Sequence, residues 1–400
     1  MIPVDEALAR VLAAVPALGT EELPPTATLG RVLAAPAHSA HPLPLFTQSA
    51  VDGYAVRQAD LARLPARLPL AQHIAAGAHA QAPTLAAGSA ARILTGGLLP
   101  LGADTVVRQE RCQREGAHLL VAEAVAIGTD IRERGEEMPA GAELAGAGSR
   151  LGPGLIAALA LGGVTRVRVH RQARVVVLVS GDEVVAGGAP LALGQVPDAN
   201  GPLLAAYFQH WRLPLLRLEA VADTEAAVRA ALARAFAEAD LVITTGGVSV
   251  GDHDYIPAVA ESLGAERLLW KVAQKPGMPL YVARRQGALL FGLPGNPASV
   301  LVNLLVYVRA ALDAMAGLEP AARWSSAEAP ATNLRADPQK TLWLRAVQQP
   351  DAEGRPQLRT LSGQASHMLG NLAQANALLR LPPASEGPPP AQLRWLALEE

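Results

Sequence analysis

The segment RVVVLVSGDE, at residues 174–183, decides the fold of this 400-residue chain. Its β-branched and leucine residues run on without polar alternation, which is typical of a strand buried on both faces of a parallel sheet. A glycine and two acids follow, and open α/β sheets bind ligands outside the carboxyl ends of their strands. The segment therefore predicts a central strand with a binding site at its end.

Helical and strand-like patterns alternate after this segment. Their periodicity predicts helices over 203–211, 224–236 and 256–263, and strands over 215–221, 240–244, 268–272, 280–283 and 288–292. Such alternation is typical of an open α/β sheet. An amphipathic helix opens at Val4, and short apolar runs cut by Pro and Gly predict a small strand-rich module over 24–140. Strand-like runs beyond 317 predict a C-terminal β domain.

Composition excludes several classes of protein. The 34 basic and 36 acidic residues give a net charge of −2, which provides no general surface for nucleic acid or anionic lipid. Half the residues are hydrophobic and only 18% are charged, so disorder over most of the length is excluded. The single cysteine, Cys112, excludes a disulfide framework and a multi-cysteine zinc site. We expect a soluble protein of the reducing cytosol, with no export signal and no membrane span.

Three loops at strand ends carry binding chemistry, at residues 180–183, 245–254 and 293–297. Successive glycine and hydroxyl residues let backbone N–H groups converge on an anion, and a helix N-terminus adds partial positive charge. Because such loops meet at one edge of a parallel sheet, they predict a phosphate site. A purely structural turn remains the alternative for each loop.

Five acids accompany these loops, namely Asp182, Glu183, Asp223, Asp252 and Asp254. Crowded carboxylates must raise their pKa values or take up a cation, and Mg²⁺ binds carboxylate and phosphate oxygens together. The acids therefore predict a magnesium site. Helix capping is the alternative for Asp182 and Asp223, and for Asp223 alone it is the favoured interpretation.

Lysine is rare in this chain, since only Lys271, Lys275 and Lys340 are present among the 34 basic residues. An ammonium group is a compact charge that fits a tight anionic site, unlike the broad guanidinium fork. If residues 271–275 are extended, the first two lysines project from one face about 13 Å apart. The hypothesis is that one contacts a phosphate and the other a second anion.

The segment FTQSAVDGYAV at residues 46–56 resembles the SAMDGYA motif of the molybdopterin molybdenumtransferases, the MoeA-like proteins related to the C-terminal part of gephyrin. Residues 363–366 resemble a worn copy of that family's QGSG element. Further motifs follow in the family's order at residues 93–96, 102–107, 132–137, 181–183, 198–200, 245–254, 275–277 and 293–297.

The resemblance implies an elongated homodimer of four-domain subunits that inserts molybdenum from molybdate into adenylylated molybdopterin and releases AMP with Mg²⁺. It implies transient contact with the molybdopterin adenylyltransferase, no nucleic acid and no membrane partner, and a cytoplasmic location. The implied domains are an N-terminal dimerisation domain (1–45 with 141–172), an inserted strand-rich module (46–140), an α/β molybdopterin-binding domain (173–318) and a C-terminal β-barrel-like domain (319–400).

The resemblance and the strand-end loops together define the expected site, whose cleft the partner subunit's strand-rich module would complete. The expected catalytic residues are Glu183, Asp52, Thr95, Lys271 and Lys275. The expected substrate-binding residues are Arg132, Glu137, Gly181, Asp182, Asp198, Asn200, Gly246, Gly247, Ser249, Pro294, Gly295 and Asn296. The expected metal ligands are Asp223, Asp252 and Asp254.

Several positions depart from the family's pattern, and these affect affinity more than reaction class. Glu137 stands for Asp, Met278 for the second lysine of KPGK, and Ala365 and His367 for glycines. Two other functions remain open, a molybdopterin adenylyltransferase and a non-catalytic scaffold of the gephyrin type. The module around Asp52 argues against the first, and the acids and lysines argue against the second.

Overall fold

The computed structural model describes residues 1–77, 81–248, 254–328, 334–388 and 390–398. A six-stranded sheet forms the predicted α/β domain. Its order is Leu215–Val221, Val175–Ser180, Leu241–Thr245, Ala288–Leu293, Tyr281–Arg285 and Glu266–Trp270. The first four strands are parallel, and the last two are each antiparallel to the preceding neighbour. All six residues of Val175–Ser180 are buried, which confirms the central strand.

Four helical segments cover this sheet, at Asn200–His210, Glu225–Glu238, Tyr255–Ser262 and Pro297–Met315. The last one contains a π-helical turn at Leu304–Val308. Among the described helices it alone has the length and hydropathy of a membrane span, yet 94% of its apolar window is buried inside the protein. Pro297–Met315 is therefore a core helix, packed between the α/β sheet and neighbouring elements.

The N-terminal part of the chain pairs with a later segment. Thr20–Leu23 pairs antiparallel with Val167–His170, and Ala37–His38 pairs with Glu143–Ala145 next to the helix Pro153–Leu161. The amphipathic helix at Val4–Ala13 packs against the α/β domain. It buries Val4, Ala7 and Val11 in the α/β core, although the predicted boundary groups it with the N-terminal domain.

The strand-rich module contains a six-stranded sheet, which confirms its predicted class. The order is Thr105–Arg108, Gly53–Val56, Ala90–Ile93, Ala66–Ile74, His118–Val121 and Gln113–Glu115. A separate pair, Gln48–Ser49 with Ile131–Arg132, joins two of the loops that carry predicted site residues. Short 3₁₀ helices lie at Pro25–Ala27, Gln58–Leu61 and Gln109–Arg111.

The C-terminal β domain is confirmed, and its sheet reaches back into the α/β domain. The sheet order is Gln274–Lys275, Thr341–Pro350, Ala377–Leu381, Gln392–Ala397 and Ser325–Glu328, with Pro356–Thr360 paired to the second strand. Short 3₁₀ helices lie at Pro320–Arg323 and Ala384–Glu386. The pairing of Gln274–Lys275 with Thr341 and Leu342 fixes the segment that carries two of the three lysines.

Candidate functional site

A cavity of about 630 Å³ opens at the carboxyl ends of the four parallel strands, and we name it the sheet-edge cavity. Each of these strands is followed by a loop that contributes to the wall. The described residues that line it are Ser180, Gly181, Glu183, Val184, Val196, Pro197, Asp198, Ala199, Asn200, Asp223, Gly246, Gly247, Asp254, Gly295, Asn296, Pro297, His367 and Leu369. The structure therefore brings together ten of the predicted site residues.

The carboxylate of Asp223 is fixed by the loop that follows the central strand. The Ser180 hydroxyl donates to Asp223 Oδ1 at 2.6 Å, and the Asp182 N–H donates to Oδ2 at 3.3 Å. Asp182 Oδ1 in turn accepts from the Asp223 N–H at 3.1 Å. Asp182 is exposed and lies outside the cavity lining. These bonds connect the ends of two neighbouring strands.

The prediction that Asp223 caps the following helix is wrong. Thr224 is the N-cap of Glu225–Glu238, and its hydroxyl accepts from the Ala227 N–H at 3.3 Å. The reason is geometric, because Thr224 has the extended backbone that aims an N-cap side chain at the first turn. The Asp223 carboxylate is thereby left to face the cavity.

Asp198 and Asn200 form a second fixed group in the wall. Asp198 Oδ1 accepts from the backbone N–H groups of Asn200 and Gly201, each at 2.9 Å. Asn200 Nδ2 donates to the Gly295 carbonyl at 2.8 Å. Its Oδ1 is buried and has no hydrogen-bond partner within the described ranges. Since buried polar atoms are normally paired, this oxygen is open to a donor on a ligand.

The glycine turn at Gly246 and Gly247 allows close approach of the backbone. Both residues have positive φ, +85° and +66°, and a Cβ on Gly246 would lie 2.8 Å from the Ser180 carbonyl oxygen. The Gly246 N–H donates to the Leu293 carbonyl at 3.0 Å. That amide is therefore used within the sheet, so the turn shapes the wall rather than offering this N–H to an anion.

The helix N-terminus at Pro297 is a better anion site. Its N-cap, Asn296, makes no side-chain capping bond, and Gly295, Asn296 and Pro297 all line the cavity. By contrast, Asp198 already satisfies the first amides of Asn200–His210. The positive end of the long core helix thus faces the cavity without a carboxylate of its own, as phosphate-binding helices do.

The carboxylates fit a magnesium ion that is completed by substrate oxygens. Asp223 and Asp254 line the same cavity, and Asp223 keeps acceptor capacity beyond its two hydrogen bonds. Within the described ranges no three His, Cys, Asp or Glu side chains form a metal cluster. Mg²⁺ commonly takes one or two carboxylates together with phosphate oxygens, so this donor set is compatible with it. The predicted ligand Asp252 and the predicted residue Ser249 lie outside the described residues.

The two clustered lysines lie outside the cavity lining. Residues 271–275 are not continuously extended, so the condition for the predicted spacing of about 13 Å between the lysines on one face is not met. Lys271 has a left-handed φ of +69°, and its ammonium lies 5.2 Å from the centre of the Trp270 ring. Lys275 is exposed in the strand pair with the C-terminal domain. The Gln339 N–H is the main influence that lowers the pKa of Asp337, and the Lys275 charge contributes. Lys275 therefore faces the C-terminal domain.

A buried hydrogen-bond network explains this departure. Gln274 Nε2 donates to Asn303 Oδ1 at 2.7 Å, and Gln274 Oε1 accepts from Tyr307 Oη at 2.8 Å and Trp343 Nε1 at 3.0 Å. The residues come from the lysine segment, the core helix and the C-terminal sheet. These long-range partners fix the path of the segment, whereas the local sequence pattern does not reveal them.

The predicted residues of the strand-rich module form a separate group. Asp52 Oδ1 accepts from the backbone N–H and the hydroxyl of Thr95, both at 2.8 Å. The N–H and then the hydroxyl hold the pKa of Asp52 below its usual range. Arg132 and Glu137 are exposed, and Arg132 pairs with Gln48 in the short antiparallel pair. None of these four residues lines the sheet-edge cavity. Pro294, another predicted substrate-binding residue, is buried and does not line the cavity either.

The two lining residues that come from the C-terminal domain, His367 and Leu369, are absent from the predicted site. The Arg345 side chain donates to the Gly363 and Ala365 carbonyls and so holds the start of their loop. The signal available in the sequence is the resemblance of residues 363–366 to the family's QGSG element, which by itself does not connect this loop to the acids. His367 is the single side chain in the described lining that can carry positive charge.

An open α/β sheet with an acidic cavity and an uncapped helix N-terminus at its strand ends defines a protein class that binds phosphorylated ligands. Three family models match the chain: "MoeA N-terminal region (domain I and II)" at 2–163, "Probable molybdopterin binding domain" at 176–314 and "MoeA C-terminal region (domain IV)" at 330–390. These matches follow the order of the units described above.

Comparison with individual relatives gives the same family over nearly the whole chain. The molybdopterin molybdenumtransferase of Haemophilus influenzae is 32% identical over 95% of this chain and 94% of its own length. The molybdopterin molybdenumtransferase of Bacillus subtilis is 34% identical over 96% of this chain and 91% of its own length. The crystal structure of the molybdopterin biosynthesis MoeA protein from Pyrococcus horikoshii has a TM-score of 0.79 at 26% identity, over 100% of this chain and 99% of that one. The chain belongs to the molybdopterin molybdenumtransferase (MoeA) family, a transferase family of molybdenum cofactor biosynthesis.

Proposed function

We propose that this chain inserts molybdenum from molybdate into adenylylated molybdopterin, with Mg²⁺-dependent release of AMP. The single observation that carries the proposal is the meeting of carboxylates and the uncapped N-terminus of Pro297–Met315 in one cavity of about 630 Å³. A cavity of this size suits a substrate with a pterin, a pyrophosphate and a nucleotide part. The family membership supports the reaction class.

The chain's own residues would bind and orient the substrate. The N–H groups near Asn296 would take the phosphate oxygens, and the unpaired Oδ1 of Asn200 would accept from a ring or hydroxyl donor. Glu183, an exposed carboxylate in the wall, would accept a proton from the attacking oxygen. Hydrogen bonds from Ser180 keep Asp223 oriented throughout.

Asp223 and Asp254 would hold Mg²⁺. Asp252, which lies outside the described residues, stays a predicted third ligand. The ion would supply Lewis-acid charge stabilisation at the phosphate oxygens. Without it, four carboxylates in the cavity, those of Glu183, Asp198, Asp223 and Asp254, would repel a polyanionic substrate. This charge balance supports the proposed requirement for a divalent cation.

A homodimer would complete the cleft. Asp52, Thr95, Arg132 and Glu137 lie on a module that contributes nothing to the described cavity lining of its own chain. A partner subunit's module would bring these groups to the cavity. The family resemblance assigns to Lys271 and Lys275 the neutralisation of molybdate and phosphate oxygens. We also propose a cytoplasmic location and a transient contact with the molybdopterin adenylyltransferase that supplies the substrate.

The test is an assay of the purified protein with adenylylated molybdopterin, Mg²⁺ and molybdate, in which AMP is measured. Molybdate-dependent AMP release is the expected result. Consumption of ATP with bare molybdopterin would instead identify an adenylyltransferase. Absence of both activities would identify a non-catalytic scaffold and contradict the proposal.

Glu183→Gln tests the site in the same assay. We expect AMP release to fall at least about tenfold, which corresponds to about 1.4 kcal/mol in the barrier. Lys275→Ala is expected to lower it to a similar degree. The matched control is Glu225→Gln, an exposed acid on Glu225–Glu238 that does not line the cavity. Unchanged rates for both site variants would remove the site assignment.

A further inference from the structure

A second, much smaller cavity lies between the N-terminal part of the chain and the α/β domain. Its volume is about 40 Å³, and it shares no described lining residue with the sheet-edge cavity. Residues 30–32, Arg150 and His170 form one side, and Trp211 with the last turns of Pro297–Met315 form the other. We name it the seam cavity.

The walls of the seam cavity carry an excess of positive charge. Arg31, Arg150, Arg171 and Arg309 all line it, and Asp313 is the one carboxylate in the described lining. Arg31 pairs with Glu21, and Arg171 makes two bonds to Asp240, so these two guanidinium groups are already compensated. The uncompensated charge therefore lies at Arg150 and Arg309.

Asp313 cannot balance these groups, because three guanidinium groups share it. Its Oδ1 lies 3.0 Å from Arg309 Nε and 3.7 Å from an Arg150 terminal nitrogen, and its Oδ2 lies 2.8 Å from Arg323 Nε. Its side chain is only 5% exposed. One buried negative charge therefore faces three positive charges at short range, a balance that costs free energy unless another anion is present.

Arg309 has an N–H donor in the seam cavity that makes no hydrogen bond to the described residues. Its side chain is 8% exposed, and one terminal nitrogen, Nη1, is buried without any hydrogen-bond partner among the described residues. Arg309 Cζ lies over the Trp211 ring, 4.5 Å from its centre, a cation–π contact that leaves Nη1 without a hydrogen-bond acceptor in the described part of the chain. Burial also lowers the pKa of Arg309, as expected where charge is poorly compensated.

We propose that the seam cavity binds one small tetrahedral oxyanion, such as phosphate or sulfate, between Arg309 and Arg150. The size agrees, because a volume of about 40 Å³ is room for roughly two or three waters or one inorganic ion. A water would satisfy Nη1 but would leave the excess charge, whereas an oxyanion satisfies both and binds guanidinium edges in their preferred forked geometry. The bound ion would join the N-terminal segments to the core helix.

The test is equilibrium dialysis of the full-length protein with labelled inorganic phosphate at fixed ionic strength. We expect the wild type to show a saturable site that Arg150→Gln and Arg309→Gln each weaken at least tenfold. Arg150 is 44% exposed, so its replacement leaves folding intact even where that of the buried Arg309 does not. Asn200→Ala, which alters the sheet-edge cavity, and Arg229→Gln, at an exposed pair, should retain the site.

Competition identifies the class of anion. Sulfate and molybdate are expected to displace the labelled phosphate, whereas chloride at the same ionic strength is not. Equal displacement by chloride would contradict an oxyanion site. Loss of the phosphate site in Asn200→Ala with retention in Arg150→Gln would place it in the sheet-edge cavity and overturn the proposal. Absence of saturable binding in the wild type would overturn it as well.

Discussion

The sheet-edge cavity and the Asp52–Thr95 pair hold carboxylates in different ways. In the cavity, Asp223 is connected to Ser180 and Asp182, so two neighbouring strands orient it. Asp52 is oriented within its own module by the N–H and hydroxyl of Thr95. Both arrangements orient a carboxylate, but within one chain only Asp223 lines the sheet-edge cavity. The comparison indicates that each region is oriented locally, and the proposed homodimer would bring the two together.

The largest expected effect comes from Gly246→Ala, which adds a side-chain atom to the tight turn in the wall of the sheet-edge cavity. The new Cβ would lie 2.8 Å from the Ser180 carbonyl oxygen in a backbone conformation that favours glycine. We expect the free energy of unfolding to fall by about 1–3 kcal/mol, and AMP release to fall at least about tenfold. Chemical denaturation and the AMP assay measure the two effects.

Gly295→Ala is the matched control within the same cavity. The nearest atom to its added Cβ is 4.0 Å away, so unfolding should change by less than about 0.5 kcal/mol. If Gly246→Ala changes neither the free energy of unfolding nor AMP release, the close packing of the turn has no role in shaping the site.

An intermediate effect is expected on the module side from Thr95→Val. Removing the hydroxyl deletes one of the two bonds that lower the pKa of Asp52, so that pKa moves up toward its ordinary value. Asp52 is ionised above its pKa, and the acid limb of the kcat/KM profile should therefore move to higher pH. Thr20→Val, an exposed strand position, is the control. A profile that stays in place would show that ionised Asp52 is not required.

The smallest effect is expected at the rim of the cavity from His367→Ala. An exposed group near a polyanionic substrate contributes up to about 1 kcal/mol, so KM for adenylylated molybdopterin should rise about two- to fivefold with kcat unchanged. The exposed His73 of the strand-rich module provides the control substitution. A fall in kcat without a change in KM would place His367 in the chemistry instead of in binding.

Local pattern predicted most of the fold. The strand Val175–Ser180 and the strand Leu215–Val221 were both placed within one residue, because buried β-branched runs and glycine-bounded segments are strong local signals. The same logic predicted that Glu183, Asp223 and Asp254 meet at one sheet edge, since parallel strands end together. The family resemblance, not the local pattern, added Asn200.

What the sequence could not reveal depends on contacts between distant segments. The Lys271–Lys275 region is shaped by bonds from Gln274 to Asn303, Tyr307 and Trp343, which no local period encodes. The arrival of His367 in the cavity depends likewise on docking of the C-terminal domain. The N-cap of the helix Glu225–Glu238 is Thr224 rather than Asp223, a difference of one residue that backbone geometry decides. The predicted domain boundaries, metal ligands and dimer stay predictions.

Subunit complementation tests most directly whether the two regions form one site. Asp52→Ala and Glu183→Gln are each expected to lower AMP release at least about tenfold when expressed alone. In mixed dimers of the proposed arrangement, one of the two sites combines the wild-type cavity of one subunit with the wild-type module of the other. A random mixture should then recover about a quarter of the wild-type activity, since half of the dimers carry one intact site. Activity of the mixture no higher than that of the separate variants would contradict the account.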